Sequence, residues 1–153
     1  MYFYQFLPFL FIFLISCDNG VITPKKVASK TSECIDLRSD LSILGIENLN
    51  NCMDQRKEMM LSFKDDSLWL VDYNNYLKKF VKINPKSAAL LTCDCLKIGM
   101  IRESSNEIVK ALSYCSSLNR EIIAPYRTDP AWQNEFNNEI KNGMSDCTNP
   151  ESI

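Results

Sequence analysis

Apolar side chains recur at intervals of three and four residues along most of the chain after residue 30. That spacing is typical of one buried face of an α-helix, whereas polar–apolar alternation typical of strands is short and rare here. The pattern therefore predicts an all-α bundle of about five to six short helices. The predicted helices are, in chain order, about 32–44, about 51–63, one from Asp65-Asp66 to before Asn84-Pro85, one starting near Lys86, one starting at Ser104, and one from Asp129-Pro130 to Gly143.

Several residue types mark the ends of these helices. Asp66 and Asp129 are expected to be N-caps, since their carboxylates can accept hydrogen bonds from free backbone N–H groups. Ser104 with Glu107 three residues later is typical of a capping box. Gly143 is expected to close the last helix in a left-handed conformation.

The first 16 residues contain no Lys, Arg, Asp or Glu. As a helix they would be roughly 24 Å long, which is shorter than the ~30 Å hydrocarbon core of a bilayer. An apolar run of this length at the N-terminus predicts a signal peptide over residues 1–16, cleaved near Cys17. Residues 17–30 are polar and contain Gly20 and Pro24, so they are predicted to be a flexible tether. Residues 31–153 then form a single helical domain stapled by disulfides.

The tetrapeptide Leu14-Ile15-Ser16-Cys17 resembles the lipobox of bacterial lipoproteins. The resemblance implies that Cys17 becomes the acylated first residue of the mature chain and anchors it to a membrane. The alternative is cleavage near Cys17 in an ordinary secreted protein. Both alternatives remove Cys17 from the disulfide count of the folded domain.

Six cysteines remain, and an even number in an exported chain predicts three disulfides. Cys93 and Cys95 lie on opposite sides of a helix, because two residues span roughly 200° of its circumference. They should therefore tie one helix to two different neighbours. Cys95 and Cys115 lie on the apolar stripes of consecutive helices and are the first pair expected. The complete set of expected disulfide cysteines is Cys34, Cys52, Cys93, Cys95, Cys115 and Cys147, the last of which staples the tail to the domain.

Composition and charge narrow the classes of function. With 17 Lys and Arg against 19 Asp and Glu, the chain lacks the basic character of a nucleic-acid-binding protein. It contains no His, which excludes Ser-His-Asp and Cys-His catalytic arrangements. No phosphate loop or dinucleotide-binding turn is present, and we expect no cofactor, metal site or catalytic residues.

One row of aromatic residues has two interpretations. Trp69, Tyr73, Tyr76 and Phe80 recur at helical spacing on the third predicted helix. They could line a groove for an apolar ligand, or they could form part of the core with the Tyr hydroxyls reaching polar partners. Core packing is the more common role for such a row.

The absence of catalytic motifs favours an exported, non-enzymatic interaction protein that binds another protein or a small apolar ligand. One alternative is a lipid-anchored inhibitor or immunity-type lipoprotein, which touches a membrane only through acylated Cys17. Another is a small extracellular hydrolase that uses paired carboxylates. An exposed apolar patch would favour binding, whereas a cleft with two facing acids would favour the enzyme.

Overall fold

A computed structural model describes residues 21–102 and 105–147 of the chain. All regular elements of the described residues are helical, which confirms the predicted all-α bundle. The predicted signal peptide and Cys17 lie outside the described residues. The helices are α1 Pro24–Leu37, α2 Ile43–Leu61, α3 Ser67–Phe80, α4 Pro85–Met100, α5 Asn106–Ile123, a 3₁₀ turn Ala124–Tyr126, and α6 Pro130–Cys147.

Three disulfides connect the helices, as predicted from the even cysteine count. Cys95 bonds Cys115, which confirms the first expected pair, and Cys93 bonds a different neighbour of α4. The opposite orientation of Cys93 and Cys95 on one helix is therefore also confirmed. The bonds are Cys34–Cys52 between α1 and α2, Cys95–Cys115 between α4 and α5, and Cys93–Cys147 between α4 and α6.

Contacts between specific residues set the direction of each helix pair. Helices α1 and α2 run antiparallel, because Cys34 bonds Cys52 while Thr31 meets Arg56. Helices α4 and α5 are also antiparallel, since Thr92 accepts a hydrogen bond from Asn119 while Cys95 bonds Cys115. These two hairpins form the halves of the bundle.

Helices α2 and α5 join the two halves and run parallel. Asn50 donates to Glu107, whereas Asp54, one turn later on α2, accepts from Tyr114. Helix α3 packs chiefly on α1, and α6 packs chiefly on α4. Followed through these main contacts, the packing order is α3, α1, α2, α5, α4, α6, and α3 also reaches α2 and α5 through Tyr73.

The apolar interior has two parts. The larger cluster includes side chains of α1, α2, α4 and α5, with Leu49, Ile98 and Cys115 among its most buried members. The smaller cluster joins α1 to α3 through Val27 and Tyr73, and the end of α2 packs against it. Both halves of the bundle and α3 are thus held by apolar burial as well as by crosslinks.

The tether predicted for residues 17–30 is wrong from Pro24 onward. Helix α1 begins there, the Thr23 hydroxyl accepts a hydrogen bond from the Lys26 N–H at 3.2 Å, and Pro24 occupies the first helical turn. Val27 and Ala28 are fully buried against α3. This segment is polar only on its outer face, and its apolar positions supply the first turn of a packed helix.

The predicted bounds of the first two helices are also wrong. Residues 38–42 connect α1 to α2, and Ser42 is the N-cap of α2. Residues 45–50, which separate the two predicted helices, lie inside α2, where buried Asn50 donates to both the backbone and the side chain of Glu107. Tertiary hydrogen bonding thus overrides the low helix propensity of Asn.

Two further helix boundaries were predicted, at Gly143 for the end of the last helix and at Ser104 for the start of the fifth. Gly143 does not close α6, which continues to Cys147, where the disulfide to Cys93 holds it on α4. The capping Ser104 lies outside the described residues, and the Ser105 side chain accepts from the N–H of Ile108 at the start of α5. Asp66 and Asp129 do accept from backbone N–H groups of the helices that follow them, as predicted.

We predict that position 45, next to the connection between α1 and α2, requires glycine. A methyl group on Gly45 would overlap the Asp40 side chain and backbone carbonyl, whereas one on Gly143 would meet nothing within 4 Å. We expect Gly45→Ala to lower the free energy of unfolding by about 1–3 kcal/mol. Gly143→Ala should raise it by about 0.5–1 kcal/mol, because Ala favours the helix. Denaturant unfolding of both variants tests this, and a stabilising Gly45→Ala would contradict it.

Candidate functional site

The outer face of α4 carries two leucines that the fold leaves in water. Leu90 is 54% exposed and Leu96 is 37% exposed. Both lie off the buried stripe of Leu91, Cys95 and Ile98, and they are roughly 120° apart around the helix axis, with buried Cys93 between them. We call these two exposed side chains the α4 ridge.

An open cleft lies between α4 and α6, and both leucines of the ridge line it. It has a volume of about 240 Å³. Ala89, Leu90, Leu96 and Ile140 provide apolar walls, and the Cys93–Cys147 disulfide belongs to the lining. Because that disulfide joins the two helices, the spacing of the cleft walls is covalently fixed.

A second open cleft lies between α4 and α5. It has a volume of about 440 Å³, and Leu96 lines it as well as the first cleft. Met100 and Leu112 add apolar surface, while Asn119 and Arg120 provide polar groups at the α5 side. Leu96 therefore stands between two clefts with apolar walls, whereas Leu90 borders the α4–α6 cleft.

Charged groups stand at the margins of this surface. Lys86 and Glu139 line the α4–α6 cleft, and Arg120 lines the α4–α5 cleft. None of the three takes part in an ion pair within the part of the chain that the structure describes. The surface thus combines an apolar centre with charges at its edge that can pair with a partner, which is the composition of many protein interfaces.

The aromatic row on α3 does not form one open groove. Trp69 and Tyr73 are buried and stack on each other, with ring centroids 5.8 Å apart, whereas Tyr76 is half-buried and Phe80 is exposed. Trp69 also stacks on Phe63 at the end of α2, at 4.6 Å. The first two rings therefore serve as core between α3 and its neighbours, the more common of the two roles considered.

Tyr73 belongs to a buried polar network that joins four helices. Its hydroxyl donates to the Glu121 carboxylate on α5 at 2.5 Å and lies 3.0 Å from the Thr31 hydroxyl on α1. Arg56 on α2 donates to Glu121 at 2.6 Å and to Thr31 at 2.8 Å. Since each member has partners within the network, the cluster fixes how the helices pack and does not present a reactive group to solvent.

Burial, reinforced by the nearby Glu121 carboxylate, raises the pKa of Tyr73 to about 12. The neutral tyrosine is the form that the fold stabilises, so this contribution to stability is complete below the ordinary pKa near 10 and is lost as the pH rises toward 12. We expect Tyr73 of the folded protein to stay protonated at pH values where ordinary tyrosines have ionised. Tyrosinate absorbance, followed together with circular dichroism, measures this. The hydrogen bond to Asp54 also raises the pKa of Tyr114, which is less buried.

The Tyr73→Phe variant is the control for that titration, because it should lose the latest ionisation step, and Tyr114→Phe shows what the second raised pKa contributes. Late ionisation of unchanged amplitude in Tyr73→Phe would assign the shift to another residue. Complete ionisation at the ordinary pKa in folded wild-type protein would contradict the burial of the Tyr73 hydroxyl.

Two glutamates share a third cleft, as a carboxylate-pair hydrolase would require. Glu47 and Glu107 line an otherwise aliphatic cleft of about 210 Å³ near the start of α2. Both residues are exposed, and Glu107 accepts a hydrogen bond from Asn50 at 2.8 Å. A general acid in such enzymes is normally withdrawn from water, so this pair does not favour the hydrolase. Within the described residues, no three His, Cys, Asp or Glu side chains are placed to share a metal ion.

Sequence reasoning did not identify the α4 ridge as a site, although the signal was present. Leu90 lies off the stripe predicted to be buried, and a large apolar residue off that stripe is a candidate for a surface contact.

None of the helices among the described residues is both long enough and apolar enough to cross a bilayer. The chain matches no protein-family model, and comparisons with curated proteins and with solved structures find no match.

Proposed function

We propose that this is an exported, non-enzymatic interaction protein that binds an apolar segment of a protein partner across the outer face of α4. The observation that carries the proposal is the pair of exposed leucines, Leu90 and Leu96, beside open clefts with apolar walls. Exposed apolar side chains that adjoin apolar clefts form a larger patch than scattered single residues, and such patches mark interaction sites. The clefts on either side of Leu96 can receive apolar side chains of a partner helix.

The shape of the surface favours a protein partner over a small apolar ligand. Small-molecule sites usually enclose most of the ligand surface in a single pocket of about 300–1,000 Å³. The α4–α6 cleft, at about 240 Å³, falls below that range. The α4–α5 cleft, at about 440 Å³, falls within it, but both clefts are open and share Leu96, so neither encloses a ligand. The three disulfides support export, because such bonds persist in oxidising compartments.

Site-specific photocrosslinking in the cells that produce the protein tests this function. A photoreactive amino acid at Leu96 should give one discrete protein adduct, whereas the same residue at Val71 should not. Val71 is also exposed but lies on α3, at the opposite end of the packing order.

A Leu90→Asp substitution should abolish the adduct formed from position 96 while leaving the circular dichroism spectrum unchanged. Equal adducts from positions 71 and 96, or an adduct that survives Leu90→Asp, would contradict binding at the ridge.

A second form of the proposal is a lipid-anchored inhibitor or immunity-type lipoprotein. It is favoured by the position of Cys17 directly after the apolar run of residues 1–16 and close in sequence to the start of the domain. Intact mass spectrometry of the mature protein is expected to show acyl mass on Cys17. A mature chain that starts after Cys17, or carries it unmodified, would leave only the secreted form.

A further inference from the structure

One end of the bundle gathers the starts and ends of three helices. Because α1 and α2 are antiparallel, the start of α1 lies beside the end of α2, and α3 begins after the short turn that follows. Ile22, Met60, Phe63 and Trp69 pack in the same apolar cluster, which confirms that these segments meet. We call residues 21–26 together with residues 61–68 the N-terminal face.

Three large apolar side chains on the N-terminal face point into water. Val21 is 76% exposed, Leu61 is 56% exposed and Leu68 is 79% exposed. They surround a buried cluster that already contains the other apolar residues of this end. Exposed aliphatic side chains grouped at one end of a small domain indicate a contact surface.

Cations accompany these apolar residues. Lys25, Lys26 and Lys64 are exposed, and none of them forms an ion pair among the residues that the structure describes. Of the two neighbouring acids, Asp66 is engaged as the N-cap of α3, where it accepts from the Trp69 N–H at 3.0 Å, and Asp65 is exposed. The N-terminal face thus has three lysines against two aspartates, a formal charge of 3 − 2 = +1, whereas the chain as a whole has a formal charge of −2.

A cleft between α2 and α5 opens beside this end and is also lined by lysines and apolar side chains. Its volume is about 340 Å³, and its lining includes Lys57, Lys64 and Leu61 from the α2 side and the hydroxyls of Ser113 and Ser117 from α5. Ammonium groups and hydroxyls next to aliphatic surface can bind a phosphate-bearing headgroup and the start of its acyl chains.

The position of the N-terminal segment points to the same partner. Cys17 precedes Val21 by only four residues, which reach at most about 14 Å when fully extended. A chain attached to a membrane at Cys17 therefore holds the N-terminal face next to the bilayer, whichever way the domain turns.

We propose that the N-terminal face rests on an anionic phospholipid bilayer. Lys25, Lys26 and Lys64 lie at the level of the headgroups, and Leu61 and Leu68 enter the interfacial region. This inference rests on the membrane-attached form of the proposed function. It leaves the α4 ridge, on the other half of the bundle, free to meet a partner.

The experiment compares the full chain on vesicles of phosphatidylcholine alone and on vesicles that contain about a third phosphatidylglycerol. Flotation reports attachment, and brief acetylation followed by mass spectrometry reports the exposure of each lysine. On anionic vesicles we expect acetylation of Lys25, Lys26 and Lys64 to slow by about fivefold or more, while Lys86 and Lys141 react as they do in solution.

Two matched double variants show which face is responsible. Lys64→Glu/Leu68→Ser should remove the protection of Lys25 and Lys26, whereas Lys86→Glu/Leu90→Ser makes the same chemical changes on α4 and should leave it intact. All four positions are exposed, so both variants are expected to keep the fold.

Flotation with equal acetylation of Lys64 and Lys86 would overturn the inference and leave attachment standing. Equal protection on neutral vesicles would overturn the role of lipid charge. A chain that does not float on either vesicle would overturn both attachment and orientation. Crosslinking at Leu96 is a separate measurement, so a failure of the α4 proposal is recognised independently.

Discussion

Substitution of Glu121 by leucine is expected to lower the free energy of unfolding by about 3–5 kcal/mol. The Arg56 guanidinium, which is 8% exposed, would then stay in the interior without its carboxylate partner. The Tyr73 hydroxyl would lose an acceptor at the same time. Removal of one member of a buried ion pair costs far more than removal of an exposed one, because the remaining charge cannot return to water. Denaturant unfolding, monitored by circular dichroism, measures the loss.

The same acid-to-leucine change at Asp54 is the matched control. Asp54 also joins α2 to α5, through an ion pair with Lys110 at 2.7 Å, but that pair is exposed. Asp54→Leu should lower the free energy of unfolding much less than Glu121→Leu does, since water screens the Asp54–Lys110 pair. Replacing both buried partners, Arg56→Met with Glu121→Leu, should recover much of the stability lost in the single variant. Equal losses at Glu121 and Asp54 would contradict a structural role for the buried network.

The second large effect is expected from loss of the Cys93–Cys147 disulfide. The two cysteines are 54 residues apart, and in the chain-entropy model a loop of this length corresponds to about 4 kcal/mol. Cys34–Cys52, with a separation of 18, corresponds to about 3 kcal/mol in the same model. We therefore expect the Cys93→Ser/Cys147→Ser variant to have a lower free energy of unfolding than the Cys34→Ser/Cys52→Ser variant.

Loss of this disulfide should destabilise α6 more than the other helices. Helix α6 packs chiefly against α4, so without the crosslink it can separate while the other helices remain together. Hydrogen exchange in the Cys93→Ser/Cys147→Ser protein should show loss of protection in α6, with α1 and α2 still protected. Uniform loss of protection over all helices would show instead that the bundle unfolds as one unit.

Much of the fold could be predicted from local sequence signals. The apolar period of three and four residues, the capping Asp66 and Asp129, and the placement of Cys95 and Cys115 on facing stripes depend only on neighbouring residues. The start of α1 carried such a signal too. Val27, Thr31 and Cys34 have helical spacing after Thr23-Pro24, but the Lys-rich composition made the segment resemble a tether.

Other features depend on tertiary contacts that no local pattern contains. Arg56 and Glu121 are 65 residues apart in sequence, and only the parallel packing of α2 on α5 brings them together. The continuation of α6 through Gly143 follows from its packing on α4. Leu90 and Leu96 form the α4 ridge because no other helix covers them. Which side chains are covered depends on how all the helices pack, and no local pattern in the sequence contains that information.

Two of the crosslinks close hairpins between cysteines 18 and 20 residues apart, but Cys93 must wait for a partner near the C-terminus. During synthesis Cys34 and Cys52, then Cys95 and Cys115, can oxidise as each hairpin emerges, while Cys93 remains a thiol until residue 147 is available. A chain terminated between α5 and Cys147 would therefore carry one unpaired thiol in the domain, and alkylation of such a truncated product should label Cys93 alone among its five domain cysteines. That free thiol could exchange with other disulfides in an oxidising compartment, whereas the complete domain has none to offer.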